Sequence, residues 1–105
     1  MRNLLLFFAL VLLAACQRRN ITGTWEDYID MYVFNSDNTG MCNGALGNYP
    51  FTWELNDDSL IITMDIDGRF TYDRRYKIKS IKSEDDRETM TLLGDGRKTK
   101  LWRVK

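Results

Sequence analysis

The chain has 105 residues, with fifteen basic and fifteen acidic side chains, two cysteines and no histidine. Without histidine it lacks the commonest metal ligand and the usual general base near neutral pH, and a cysteine–histidine pair is excluded. A chain this short, with a formal net charge of zero, holds one small domain and has no overall basic excess with which to bind nucleic acid.

The first element is a leader. Met1-Arg2-Asn3 is a positive start, Leu4 to Leu13 is apolar throughout, and Ala14-Ala15 supplies small residues for a signal peptidase. That layout is a secretory signal. A membrane-crossing helix needs about 20 apolar residues, and Arg18-Arg19 ends this run too early. Leu13-Ala14-Ala15-Cys16 resembles the lipobox of bacterial lipoproteins. The resemblance implies a diacylglyceryl thioether on Cys16, cleavage just before it and acylation of the new amino end. The rival reading is an ordinary secreted protein cleaved after Ala15. On the lipobox reading, residues 1–15 are signal peptide, 16–19 a lipidated tether and 20–105 the folded domain. Several acyl chains, at roughly 0.8 kcal/mol per buried methylene, give stable anchoring in the bacterial cell envelope. Gln17 is not the aspartate that, by resemblance to enteric lipoproteins, favours the inner membrane, so the outer membrane is expected. Cys42 is then the only thiol of the domain, and no internal disulfide staples it.

Beyond the leader, apolar and aromatic residues alternate in short runs separated by Gly, Asn, Asp and Ser, which predicts an all-β domain. Strands are expected at 20–27, 30–35, 40–44, 49–56, 60–66, 69–82, 88–93 and 98–104. Asp67-Gly68 reads as a two-residue hairpin turn with both φ angles positive. The stretches 36–40, 56–59 and 94–96 are similar turn signals. Pro50 falls at the start of a strand, where its missing donor is tolerated. The fourth strand presents Tyr49, Phe51, Trp53 and Leu55 on one face, the fifth Leu60, Ile62, Met64 and Ile66, and the sixth Phe70, Tyr72, Tyr76 and Ile78, interrupted by Arg74. One buried face per strand and short connections favour a small eight-stranded antiparallel up-and-down barrel over two stacked sheets.

Gly23-Thr24-Trp25 on the first strand and Arg103 in the last resemble the signature of the lipocalins and their relatives. That resemblance implies that Gly23, Trp25 and Arg103 close one end of the barrel, the arginine packing across the tryptophan. The order Gly23-Thr24-Trp25, Tyr32-Val33-Phe34, Thr52-Trp53-Glu54, Tyr76-Lys77-Ile78 and Leu101-Trp102-Arg103-Val104 is similar to the small lipocalin-like domains of bacterial envelope lipoproteins. The chain departs from large lipocalins in lacking a long first loop, a helix after the barrel and a disulfide.

If Trp25, Phe34, Phe51, Trp53, Tyr72 and Tyr76 all face inward, they are the candidate wall of a ligand site, and they also occupy much of the room in so small a barrel. A filled core is the plainer reading and a ligand pocket the sharper one. No catalytic residues are assigned, because nothing supplies a nucleophile with its base, and no cofactor or metal is expected. Asn35-x-Asp37-x-Thr39-Gly40 imitates half a calcium loop, but its twelfth position is Leu46 instead of glutamate. Asp65-x-Asp67-Gly68 reads as solvated turn carboxylates.

Charge is unevenly spread. Asn20 to Asp67 contains nine acidic residues and no lysine or arginine, whereas Gly68 to Lys105 contains twelve basic and six acidic residues. Arg75, Lys77, Lys79, Lys98 and Lys100 are expected to form an outward basic face. It serves either solubility and seam pairing with Glu26 and Asp27, or an anionic partner, an acidic protein or lipid phosphates. Two functions stay open: a lipid-anchored protein holding a small hydrophobic ligand, or a filled barrel that is a protein-binding or inhibitor module of the envelope. Neither involves nucleic acid.

Overall fold

The computed structural model describes residues 20–45 and 47–104. The expected signal peptide, Cys16 and the expected tether lie outside the described residues, as do Leu46 and Lys105. Eight strands follow in chain order: β1 (Gly23–Glu26), β2 (Met31–Phe34), β3 (Thr39–Gly44), β4 (Gly47–Asn56), β5 (Ser59–Ile66), β6 (Phe70–Glu84), β7 (Arg87–Gly94) and β8 (Arg97–Arg103). Each pairs antiparallel with the next, and β8 returns to β1, so the sheet closes into an up-and-down barrel with no free edge among the described residues.

Local chemistry sets the turns. Asp67 and Gly68 have φ of 56° and 69°, the left-handed geometry expected of Asp-Gly. The closing pair is Ile66 with Phe70, so this loop holds three residues where the sequence predicts two. Asp95-Gly96 makes a two-residue turn between Gly94 and Arg97, and Asp85-Asp86 makes one without any glycine, because aspartate tolerates positive φ better than most side chains.

Pro50 departs from its expected place. β4 starts at Gly47, which leaves Pro50 inside the strand opposite Met41. The ladder to β5 begins only at Phe51, so at Pro50 the strand has one neighbour, as an edge position does. On β6 the register shifts between Ile78 and Ser80, a bulge that puts both Lys79 and Ser80 against Thr91 and bends the longest strand around the barrel.

Alternation decides what faces inward. The buried core contains Trp25 of β1, Phe34 of β2, Phe51 and Trp53 of β4, Leu60 and Ile62 of β5, Ile78 of β6, Met90 and Leu92 of β7 and Leu101 of β8, with Ile21 beneath β1. Small residues make room for large ones. A Cβ on Gly40 would stand 2.3 Å from the Phe51 ring, so only glycine lets that ring lie flat against β3.

Up-and-down order also sorts the connections. The first and last described residues and the turns after β2, β4 and β6 lie at one end of the barrel; those after β1, β3, β5 and β7 lie at the other. The two ends are built differently.

Candidate functional site

The end that carries the first and last described residues is plugged. Trp25 is fully buried and its indole N–H donates to the Ile21 carbonyl at 2.9 Å. The Arg103 guanidinium lies 4.4 Å over the Trp25 ring, donates to the Thr22 carbonyl and to the Asn20 carbonyl (2.7 Å), and has the Glu88 carboxylate 3.5 Å from its Nε. Gly23 has φ of +116°, and a Cβ there would stand 2.8 Å from the same guanidinium. Glycine therefore serves both the backbone angle and the approach of Arg103.

Above this plug Phe34 packs edge-on against Phe51 and Trp53, with ring centroids 5.3 and 5.6 Å apart. The space left among Phe34, Ile62, Leu92 and Leu101 is a void of about 10 Å³, at the lower limit for a single water. Among the described residues, side chains fill this half of the barrel around that void.

The opposite end is open. Two adjoining cavities occupy it, one of about 330 Å³ and one of about 450 Å³. The first is mainly apolar, walled by Cys42, Tyr49, Met64 and Ile66 with Ile29 at the rim. The second is polar, walled by Asp27, Tyr32, Tyr76, Asp95, Arg97 and Thr99. Asp30, Tyr72 and Arg74 line both and form the divide.

β6 delivers the divide. Tyr72, Arg74 and Tyr76 share its inward phase, opposite Met64, Ile62 and Leu60 of β5. Arg74 is half-buried and its guanidinium carbon lies 5.7 Å from the Tyr72 ring centre. Burial works against its charge, but Tyr76 beside it, with Tyr32 and Tyr72, raises its pKa above the ordinary arginine value. Tyr76 can lie flat here because Gly94 offers no side chain: a Cβ there would be 2.7 Å from the ring. Asp30 folds over Gly44 in the same way, after Asp27 has turned the β1–β2 loop by accepting the N–H groups of Ile29 (2.7 Å) and Asp30 (2.6 Å).

Two further groups in the mouth are held neutral. Burial, with Cys42 and Asp30 nearby, pushes the Tyr32 phenol well above its usual range. Burial, then Asp30, raises the Cys42 thiol, against the pull of Arg74. A thiol so held is a small apolar wall residue.

The six aromatics expected to line a lumen thus divide. Tyr72 and Tyr76 line the mouth cavities, whereas Trp25, Phe34, Phe51 and Trp53 belong to the filled half. Arg74 and Asp30 were not among the expected site residues. The signal for Arg74 is present in the sequence: it is the charged residue in an otherwise aromatic inward run.

The outer basic residues also divide. Lys77, Leu93 and Lys98 form one row across β6, β7 and β8, and the bulge pair with Thr91 and Lys100 forms the next. Lys100 pairs with Glu84 at 2.7 Å and lies 5.5 Å over Trp102, while Lys77 stands 3.7 Å from Asp58. Arg75 is set apart opposite Ile61, in an outer groove with Glu54 and Asp73. At the seam Glu26 meets Arg87 of β7 at 2.8 Å, reaching past its own neighbour Trp102, and Asp27 is used in its turn, so the expected pairing of both acids with β8 is not what forms. Among the described residues, no cluster of three or more Cys, Asp or Glu could hold a metal ion.

Compared with protein-family models, with curated proteins and with solved structures, the chain matches none.

Proposed function

We propose that this is a lipid-anchored protein of the bacterial cell envelope, lipocalin-like in design, that acts by binding a small, largely apolar molecule in the open half of its barrel. One observation supports the reading above others: the barrel is full at one end and holds two adjoining cavities at the other. A barrel serving only as a rigid plug has no need of an unfilled mouth. Ligand sites of about 300–1,000 Å³, mostly apolar with a few converging polar groups, have this character.

The test is native mass spectrometry of the full chain purified with its anchor in lipid nanodiscs. A reproducible added mass that organic extraction removes identifies the passenger class. A clean mass, unchanged after incubation with an envelope lipid extract, rejects the ligand reading. Anchoring has its own test: Cys16→Ser is expected to move the protein from the membrane to the soluble fraction, and a variant that stays membrane-bound rejects the lipid tether.

A further inference from the structure

The outer wall of the barrel keeps its charges apart. On β6–β8 the outward side chains Lys77, Lys79, Lys82, Lys98 and Lys100 share one flank. Lys77 and Lys100 have Asp58 and Glu84 as partners, whereas Lys79, Lys82 and Lys98 form no ion pair among the described residues. The bulge between Ile78 and Ser80 brings Lys79 into the row of Thr91 and Lys100, and Leu93, 36% exposed, lies between Lys77 and Lys98. This flank is a basic surface with an apolar centre.

The neighbouring flank has the opposite character. Thr39, Thr52, Thr63 and Asp73 form one cross-strand row over β3–β6, and Glu54, Ile61 and Arg75 form the next. The threonines are short, so a groove of about 500 Å³ lies along them, with Asp37 of the β2–β3 turn on its wall. Three carboxylates, those of Asp37, Glu54 and Asp73, meet one guanidinium there, that of Arg75. None of the four forms an ion pair among the described residues.

Within one molecule the two flanks do not neutralise each other. Asp73 and Lys79 are six residues apart on β6, about 20 Å, against a Debye length of about 8 Å at physiological ionic strength. Between molecules they can. The formal net charge of the chain is zero, so no overall repulsion keeps copies apart. The proposed attachment through Cys16 would leave both flanks facing neighbours in the membrane plane, where tethering raises the effective concentration and lets a weak contact suffice.

We propose that copies of this chain associate head to tail, the lysine flank of one seated against the acidic groove of the next. Lys79, Lys82 and Lys98 supply the positive charge and Asp37, Glu54 and Asp73 the negative. Such a contact uses a different surface on each copy, so it extends beyond a pair. It concerns the outer wall and does not depend on what the open end binds.

The test is sedimentation velocity of the full chain in a non-ionic detergent, with micelles in excess over protein, at low salt and at about 0.5 M salt, where exposed charges are strongly screened. The unaltered protein is expected to self-associate at low salt and to dissociate as salt rises. Lys79→Glu with Lys98→Glu, and separately Glu54→Lys with Asp73→Lys, are each expected to weaken association at least about tenfold. An equimolar mixture of the two double variants should recover it, because each supplies the surface that the other lacks. A monomer at low salt overturns the proposal without any variant. Association that neither salt nor charge reversal changes overturns it in favour of an apolar contact. A mixture that stays dissociated, while both variants keep the urea midpoint of the parent, overturns the pairing of these two surfaces.

Discussion

The plugged and open ends of the barrel use the same strands and the same alternation, yet one is solid and the other hollow. At the plugged end the inward positions carry Trp25, bonded to the Ile21 carbonyl, and Phe34, whose ring meets Phe51 and Trp53 edge to face. Toward the mouth they carry Gly44, Cys42, Gly94 and Thr99, and the larger side chains of the second cavity are polar. Interior volume in a closed eight-stranded barrel is limited by its geometry, so side-chain size at each level decides whether that level is core or site. The lesson is that a single small fold can divide stability and binding along its axis.

That division makes distinct forecasts for each end. The largest effect belongs to Trp25→Ala, which removes a fully buried indole from the plug and is expected to cost about 3–5 kcal/mol in urea unfolding. A loss under about 1 kcal/mol would mean that the plug is not the core. Gly40→Val should follow, at roughly 1–3 kcal/mol, because its Cβ would be driven into the Phe51 ring and the Val33 carbonyl. A variant with an unshifted urea midpoint would refute that packing.

The mouth reveals itself through pH before it does through stability. Tyr32 titrates higher in the folded protein than in the unfolded chain, where phenols ionise near 10. The folded state therefore keeps a proton that the unfolded chain releases, and stability is full below pH 10 and falls as pH rises beyond it. The slope per such group is about 1.4 kcal/mol per pH unit. Unfolding measured from pH 8 upward should show this decline, and Tyr32→Phe should make it shallower; an identical slope in the two proteins would place the alkaline loss elsewhere. The smallest effect is expected for Tyr72→Ala, whose side chain is 48% exposed at the lip. It should leave stability within about 0.5 kcal/mol of the parent while weakening any ligand held at the divide. Loss of several kcal/mol there would erase the contrast between the ends.

Much of this was legible in residue order. Period-two alternation in Tyr49 to Leu55 and Leu60 to Ile66 identifies inward faces directly, and Asp-Gly and Asn-Asp pairs mark turns because their backbone angles are chemically restricted. The bulge at Ile78 to Ser80 was not legible, since nothing in Ile-Lys-Ser distinguishes a slipped register from a regular one. Nor was the split of the lumen. It depends on how far each strand is staggered around the barrel, which places Tyr72 at the lip although Phe34, in its own cross-strand row, is deep in the core. The partner of Glu26 was hidden for a related reason: Arg87 reaches it across an intervening strand, and only the closed geometry brings the two together.

Arg103 does more than cover Trp25. By holding the Thr22 and Asn20 carbonyls, it fixes the point at which the upstream chain leaves the barrel, at the pole opposite the mouth. On the proposed attachment through Cys16, an anchor would hold the barrel by its sealed base, like a cup on a stem. Under the proposed ligand binding, cargo in such a cup would exchange with the aqueous phase and with whatever carrier or enzyme passes through it, instead of sliding in sideways from the bilayer. The posture proposed for the molecule thus rests on one guanidinium far from the open mouth.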